Sequence, residues 1–372
     1  MRRPSAADLV DLVPAIRVLS RPVAGVAAIA ALALAGCGDG STPLRDSVAF
    51  DGRSPRVPAA ARVRVLVELR RPSLGDRMAT EQLDPAAQRA HVASLASEAE
   101  ALLSALRAKD VETRRPVLYG RAWSGFAVTL STNDLPAVQA LGLRSEPVRR
   151  FYGATSAVTP AAGAVRVQRR ARGRAAPTVA LLDSGVSPRA RPLRERVVAG
   201  YDAVDRDRDP APRGSRERHG TAMASVLAAE LPAGERFASI RVAGRQRDTE
   251  GGPELEVGTT DQVLAGLERT VDPDGDGDVE DRIPIALVGV SSPYSGFANS
   301  PEDESARAAA AIGTLVIAPA GNEGAATGSY GTIGSPAAAP HALAVGALDG
   351  AAPGGAAAPG GGAGGGAAGG GS

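Results

Sequence analysis

Three polar residues stand where apolar runs meet turns or helices. Thr178-Val179-Ala180-Leu181-Leu182 runs into Asp183-Ser184-Gly185, Arg218-His219-Gly220-Thr221 opens onto the charge-free run from Ala222 to Ala229, and Thr314-Leu315-Val316-Ile317-Ala318 leads to Gly321-Asn322-Glu323-Gly324. A carboxylate, an imidazole and a carboxamide suit proton relay with oxyanion stabilisation. The imidazole moves a proton near neutral pH, the carboxylate holds its tautomer, and the amide donates to developing negative charge. Singly, each is bland: Asp-Ser-Gly and Gly-Asn are common turns, and a histidine at a helix start is commonly a cap or a packed residue. The chemistry requires that all three meet.

The runs ending at Asp183 and near Asn322 read as parallel strands buried on both faces, and open α/β sheets collect functional groups at the carboxyl ends of their strands. The residues after His219 form helix readily, and Gly220 allows that helix to approach the sheet closely. Upstream, Arg62 to Leu69 alternates so that Val63, Val65, Val67 and Leu69 share one strand face. From His91 to Lys109, Val92, Leu95, Ala99, Leu102, Leu103 and Leu106 form the stripe of an amphipathic helix. Phe126, Val128 and Leu130 mark a second strand. Leu135, Val138 and Leu141 mark a short helix with Asn133 or Asp134 as cap, and Pro147-Val148 begins a last strand. This order predicts a compact α+β sandwich over residues 59–150. Residues 151–176, rich in Ala, Arg, Gly and Pro, read as an exposed linker.

Asp272, Asp274, Asp276 and Asp278 alternate around Gly275 and Gly277, an oxygen-rich loop suited to a structural Ca2+ or, equally, a solvated acidic turn. The twelfth position from Asp272 is Ile283, which departs from an EF-hand. No cofactor is expected for the chemistry itself.

In 372 residues, 42 Lys plus Arg nearly balance 41 Asp plus Glu, which argues against a strongly basic nucleic-acid binder. Hydrophobic residues at 44% supply a core, but aromatics are only 3%, so Ala, Val and Leu must build it. The one cysteine, Cys37, excludes a disulfide within the chain. It follows a basic leader (Arg2, Arg3, Arg17, Arg21) and the uncharged stretch Val23 to Ala35, which as a helix covers ~20 Å, short of the ~30 Å hydrocarbon core. Residues 1–37 therefore read as an export signal. Leu34-Ala35-Gly36-Cys37 resembles the lipobox of bacterial lipoproteins, which implies lipidation at Cys37, anchoring to the cell envelope and an extracytoplasmic location. The other reading is a short apolar anchor with an incidental cysteine. Residues 38–58 form a polar tether.

The order Asp, His, Asn resembles that of the subtilisin-like serine endopeptidases. The local text agrees at Val179 to Val186, Arg196 to Asp202, His219-Gly220-Thr221, Gly258 to Asp278 and Ser335 to Ala347. The segment ending Ser124-Gly125-Phe126-Ala127-Val128 is similar to the family's inhibitory propeptide. The resemblance implies a doubly wound parallel sheet over residues 177–350, preceded by a ferredoxin-like α+β propeptide, and polypeptide substrates together with the chain's own propeptide as partners. It implies Asp183 and His219 as relay and Asn322 as oxyanion donor. It also implies a substrate-pairing strand ending at Gly289-Val290-Ser291, where the family's usual text is Ser-Leu-Gly.

One departure is larger. The family's serine lies in Gly-Thr-Ser-x-Ala-x-Pro, and no such motif follows Asn322; residues 351–372 are Ala, Gly and Pro with one terminal Ser, a composition expected to be disordered. Gly334-Ser335-Pro336 resembles that motif only superficially, its serine one position early. The sheet is thus expected to be C-terminally incomplete. Two functions follow: an exported serine endopeptidase whose Ser-bearing segment these residues lack, or a catalytically inactive surface lipoprotein that serves as scaffold or peptide-binding module.

Overall fold

The computed structural model describes residues 61–153, 177–190, 193, 195–214, 217–232, 234–247, 254–294, 299–323 and 331–346. Cys37, the signal, the tether, most of the linker and the Gly-rich end lie outside them.

The first unit contains β1 (Arg62–Glu68), α1 (Leu74–Met78), α2 (Pro85–Arg107), β2 (Arg114–Tyr119), β3 (Gly125–Ser131), α3 (Leu135–Gln139) and β4 (Ser145–Pro147). Its sheet order, β2-β3-β1-β4, follows the split β-α-β arrangement of a ferredoxin-like sandwich. Alternation works as the sequence implies: Val65, Val67, Phe126, Val128 and Leu130 meet Leu95, Ala99, Leu103 and Leu106 of α2 in one core. α2 starts earlier than its apolar stripe suggests, because the Asp84 carboxylate accepts the Ala87 amide and Pro85 stands at the first helical position. Neither expected cap of the next helix holds. Asp134 makes no side-chain cap bond, and Ser131 instead caps a single 3-10 turn at Thr132–Asp134. β2 was invisible in the alternation because its pairing with β3 shifts register between Arg114 and Val117, with Arg115 at φ +49°.

The strand expected to begin at Pro147-Val148 ends at Pro147. A new one, β5 (Arg150–Gly153), follows where an exposed linker was expected. Phe151 is fully buried.

The second unit is built on β6 (Val179–Asp183), β7 (Val197–Asp202), α4 (His219–Glu230), β8 (Phe237–Arg241), β9 (Ala243–Arg247), β10 (Glu254–Thr259), α5 (Thr260–Val271), β11 (Ile285–Val288), β12 (Val290–Ser291), α6 (Pro301–Ile312), β13 (Leu315–Pro319) and β14 (Ala342–Val345). Six strands form one parallel sheet in the order β14-β13-β11-β6-β8-β7. Period-two alternation sends Leu182, Ile240, Val288 and Val316 towards Val263 and Leu267 of α5 and Ala306 and Ile312 of α6. It sends Val179, Leu181, Leu287 and Ile317 towards Met223 and Leu227 of α4. Both faces of the central strands are covered, which is why their sequences read as continuous apolar runs.

A second sheet, β12-β5-β10-β9, is antiparallel and places β5 between two strands of the second unit.

Candidate active site

β6 ends at Asp183 because Ser184 and Gly185 turn the chain. Gly185 sits at φ +92°, and the Ser184 amide donates to Asp183 Oδ1 at 2.6 Å. The turn is tied to α4 from both sides: the Gly220 amide donates to Ser184 Oγ at 2.9 Å, and the Ser187 amide to Thr221 Oγ1 at 2.9 Å. Gly220 is needed for this approach, since a Cβ there would lie 2.5 Å from the Gly185 carbonyl oxygen. The first residue of α4, His219, then brings Nδ1 to 2.7 Å from Asp183 Oδ1 and 2.9 Å from Oδ2.

Asp183 is 1% exposed, and its neighbour Gly289 leaves it room: a Cβ at Gly289 would lie 1.9 Å from Asp183 Oδ2. Any side chain in that place would require the carboxylate or the strand to shift. Burial works against a charged imidazole at His219. The Asp183 carboxylate, by charge and hydrogen bond, and the charge of Glu256 outweigh it and hold the histidine pKa above its ordinary value. Nε2 is buried and hydrogen-bonded to nothing among the described residues, so the relay ends on an unsatisfied nitrogen. A carboxylate bound at Nδ1 and a free Nε2 is the arrangement of a general base.

Asn322 follows β13 at the same carboxyl edge, two strands from β6. Its backbone amide donates to Glu323 Oε2 at 2.9 Å, and no hydrogen bond among the described residues joins its side chain to Asp183 or His219. Ser335 is fully buried and engaged elsewhere: its hydroxyl donates to Asp303 Oδ1 at 2.8 Å and lies 3.2 Å from Ser300 Oγ.

The family model of the subtilases matches residues 174–362, a little over half of the chain. The chain belongs to the subtilase family. No curated protein sequence matches it. Among solved structures, the subtilase is similar to fervidolysin from Fervidobacterium pennivorans, a keratinolytic enzyme related to subtilisin, at 16% identity and a TM-score of 0.44 over 72% of this chain and 41% of that one. It is also similar to the epidermin leader peptide processing serine protease of Staphylococcus aureus, at 11% identity and a TM-score of 0.46 over 77% of this chain and 69% of that one. The subtilase thus spans less than half the length of fervidolysin.

Val290 and Ser291 form β12, and β5 already pairs with it: Val290 faces Gly153 and Ser291 faces Tyr152. On its other edge β5 pairs with β10, Tyr152 against Val257 and Phe151 against Gly258. Gly153 lies against the imidazole, where a Cβ would come within 2.9 Å of His219 Cδ2 and 3.1 Å of Nε2. The sequence reading missed this strand. Its one signal was Phe151-Tyr152, adjacent aromatics in a chain with five Phe and five Tyr.

The acidic loop gathers in part. Carboxylate oxygens of Asp272, Asp274 and Asp276 lie within 4.8 Å of one another, while Asp278 is not in that group and pairs with Arg89. Asp272, buried, is already occupied: Arg121 bonds Oδ2, and the amides of Gly275 and Gly277 donate to Oδ1 and Oδ2 at 2.7 and 2.9 Å. A guanidinium from the first unit thus sits where a cation would need an open carboxylate. No helix among the described residues is long and apolar enough to cross a membrane.

Proposed function

We propose that the chain is an exported, lipid-anchored serine endopeptidase whose Ser-bearing segment these residues lack, and that its first unit is an inhibitory propeptide whose last strand fills the substrate cleft. The observation that carries this reading is β5, held between β10 and β12 with Gly153 against the imidazole of the Asp183–His219 pair. An extended segment paired on both edges, beside a general base, is how a polypeptide substrate would lie.

The contact between the units supports an inhibitor that fits its enzyme. The Glu268 carboxylate accepts the four successive amides of Gly120, Arg121, Ala122 and Trp123 at 2.6 to 3.1 Å. Tyr119 donates its hydroxyl to the Asp261 carbonyl at 2.9 Å. Arg64, Arg121, Arg144 and Arg149 meet Asp261, Asp272, Glu304 and Glu302 across the same face.

In the proposed reaction, His219 Nε2 takes the proton of an attacking serine hydroxyl and returns it to the leaving amine. Asp183 holds the tautomer and stabilises the imidazolium, and Asn322 donates to the tetrahedral oxyanion. The hydroxyl must come from a Ser-bearing segment that these 372 residues do not contain. Cys37 carries the lipid, and a calcium ion at the Asp272–Asp276 loop would be structural and would require Arg121 to withdraw.

The missing serine motif favours a second reading, a peptide-binding scaffold with no turnover. The full-length protein, treated with a fluorophosphonate probe, separates the two. Covalent labelling that disappears in His219→Ala supports the endopeptidase, and an intact, folded, unlabelled protein supports the scaffold. Incorporation of labelled palmitate, lost in Cys37→Ser, tests the anchor.

A further inference from the structure

The helix that carries His219 has no cap of its own. The residue before it, Arg218, makes no side-chain cap bond, and the first turn contains no acidic residue. Its leading amides would be orphan donors at the positive end of a helix dipole. They are taken from another element. Glu256, half-buried on β10, accepts the Arg218 amide on Oε1 at 2.7 Å and the His219 amide on Oε2 at 3.1 Å.

This grip falls on the backbone of the residue whose imidazole must meet Asp183. The next three residues of β10, Val257, Gly258 and Thr259, are those that pair with β5. One short strand therefore holds both the occupant of the cleft and the base beside it.

We propose that Glu256 is a positioning residue for His219, and that it links occupation of the cleft by an extended strand to the placement of the imidazole. When the cleft is filled, β10 is paired on both edges and Glu256 is held at the start of α4. When the cleft is empty, β10 keeps only β9 as a partner, and the grip on the His219 amide loosens. The proposal deepens the reading of Asp183 and His219 as a proton relay and rests on it.

Among the described residues, the charged groups that act on the ring are Asp183 from β6 and Glu256 from β10, while β5 presents the uncharged Gly153. Titration of the imidazole in the full chain tests the proposal by NMR, since only three histidines are present and His219→Asn assigns the signal. Glu256→Gln keeps an acceptor oxygen and removes the charge. The His219 midpoint should fall while that of His91 stays. Glu256→Ala removes the grip as well, and the Nδ1 proton should exchange about tenfold faster, a loss of order 1.4 kcal/mol. Phe151→Ala, which removes the buried anchor of β5, should speed that exchange in the wild-type background and add little in Glu256→Ala.

Asp183→Asn serves as control. If it leaves the midpoint unchanged, the relay reading itself fails. If it lowers the midpoint but Glu256→Gln and Glu256→Ala alter neither titration nor exchange, the assignment of Glu256 is overturned. Fully additive effects of Phe151→Ala and Glu256→Ala overturn the link to the cleft.

Discussion

Replacing Gly153 by alanine tests the position of β5 most directly. The added methyl would lie 2.9 Å from His219 Cδ2 and 3.1 Å from Cγ and Nε2, well inside the ~3.5–4.0 Å at which carbon atoms pack. The ring is pinned by two contacts to Asp183, so it cannot swing away without breaking them. The strand must move instead. Overpacking of this kind costs about 1–3 kcal/mol, which raises the population of the strand-out state about 5- to 150-fold. Hydrogen exchange at the backbone amides bonded between β5 and β12, where Val290 pairs with Gly153 and Ser291 with Tyr152, should accelerate by that factor. Gly214→Ala is the control, because a Cβ there meets nothing within 4 Å. Unchanged protection of the amides bonded between β5 and β12 in Gly153→Ala would refute the placement of β5 against the imidazole.

Glu268→Ala leaves four backbone donors without their acceptor, at about 1–3 kcal/mol for each that stays buried, so docking of the first unit should weaken by about 3 kcal/mol or more. The sole tryptophan, Trp123, lies in that contact and reports the loss by fluorescence during denaturation. The raised pKa of His219 contributes stability that is fully present below about pH 6.5, the unfolded value, and disappears as pH rises through the folded value. Asp183→Asn should therefore flatten the difference in thermal midpoint between pH 5.5 and pH 8.5, and an unaltered difference would count against the ion pair. Arg121→Ala frees Asp272, so calcium should raise the thermal midpoint of that variant more than that of the wild type; equal shifts would exclude competition at the loop.

Asp183, His219 and the sheet that holds them were legible because each element writes itself locally. A strand buried on both faces is a run of Val, Leu and Ile, and the close approach at Gly220 demands glycine. The sandwich of the first unit was legible from alternation at Val63 to Leu69 and the stripe of α2. What escaped was whatever depends on a partner distant in the chain. β5 is four residues long, and nothing in Arg150-Phe151-Tyr152-Gly153 says which edges will receive it. Glu256 does its work through backbone amides, which carry no residue type, so no spacing rule points to it. The acidic loop shows the same dependence on distant partners. Its spacing suggests a cation, and the fold also brings the arginines Arg121 and Arg89 to Asp272 and Asp278 from a unit more than a hundred residues away.

The covalent link between the two units has a kinetic consequence. Residues 154–178 join β5 to β6 of the second unit, so the strand in the cleft can never diffuse far from it. For a short tether the effective concentration is of millimolar order, and a free peptide must outcompete that value rather than the concentration of the protein in solution. A blocker of quite modest intrinsic affinity is then sufficient while the chain is whole. A single backbone nick after Gly153 would turn the same contact into an ordinary bimolecular equilibrium that dilution can empty.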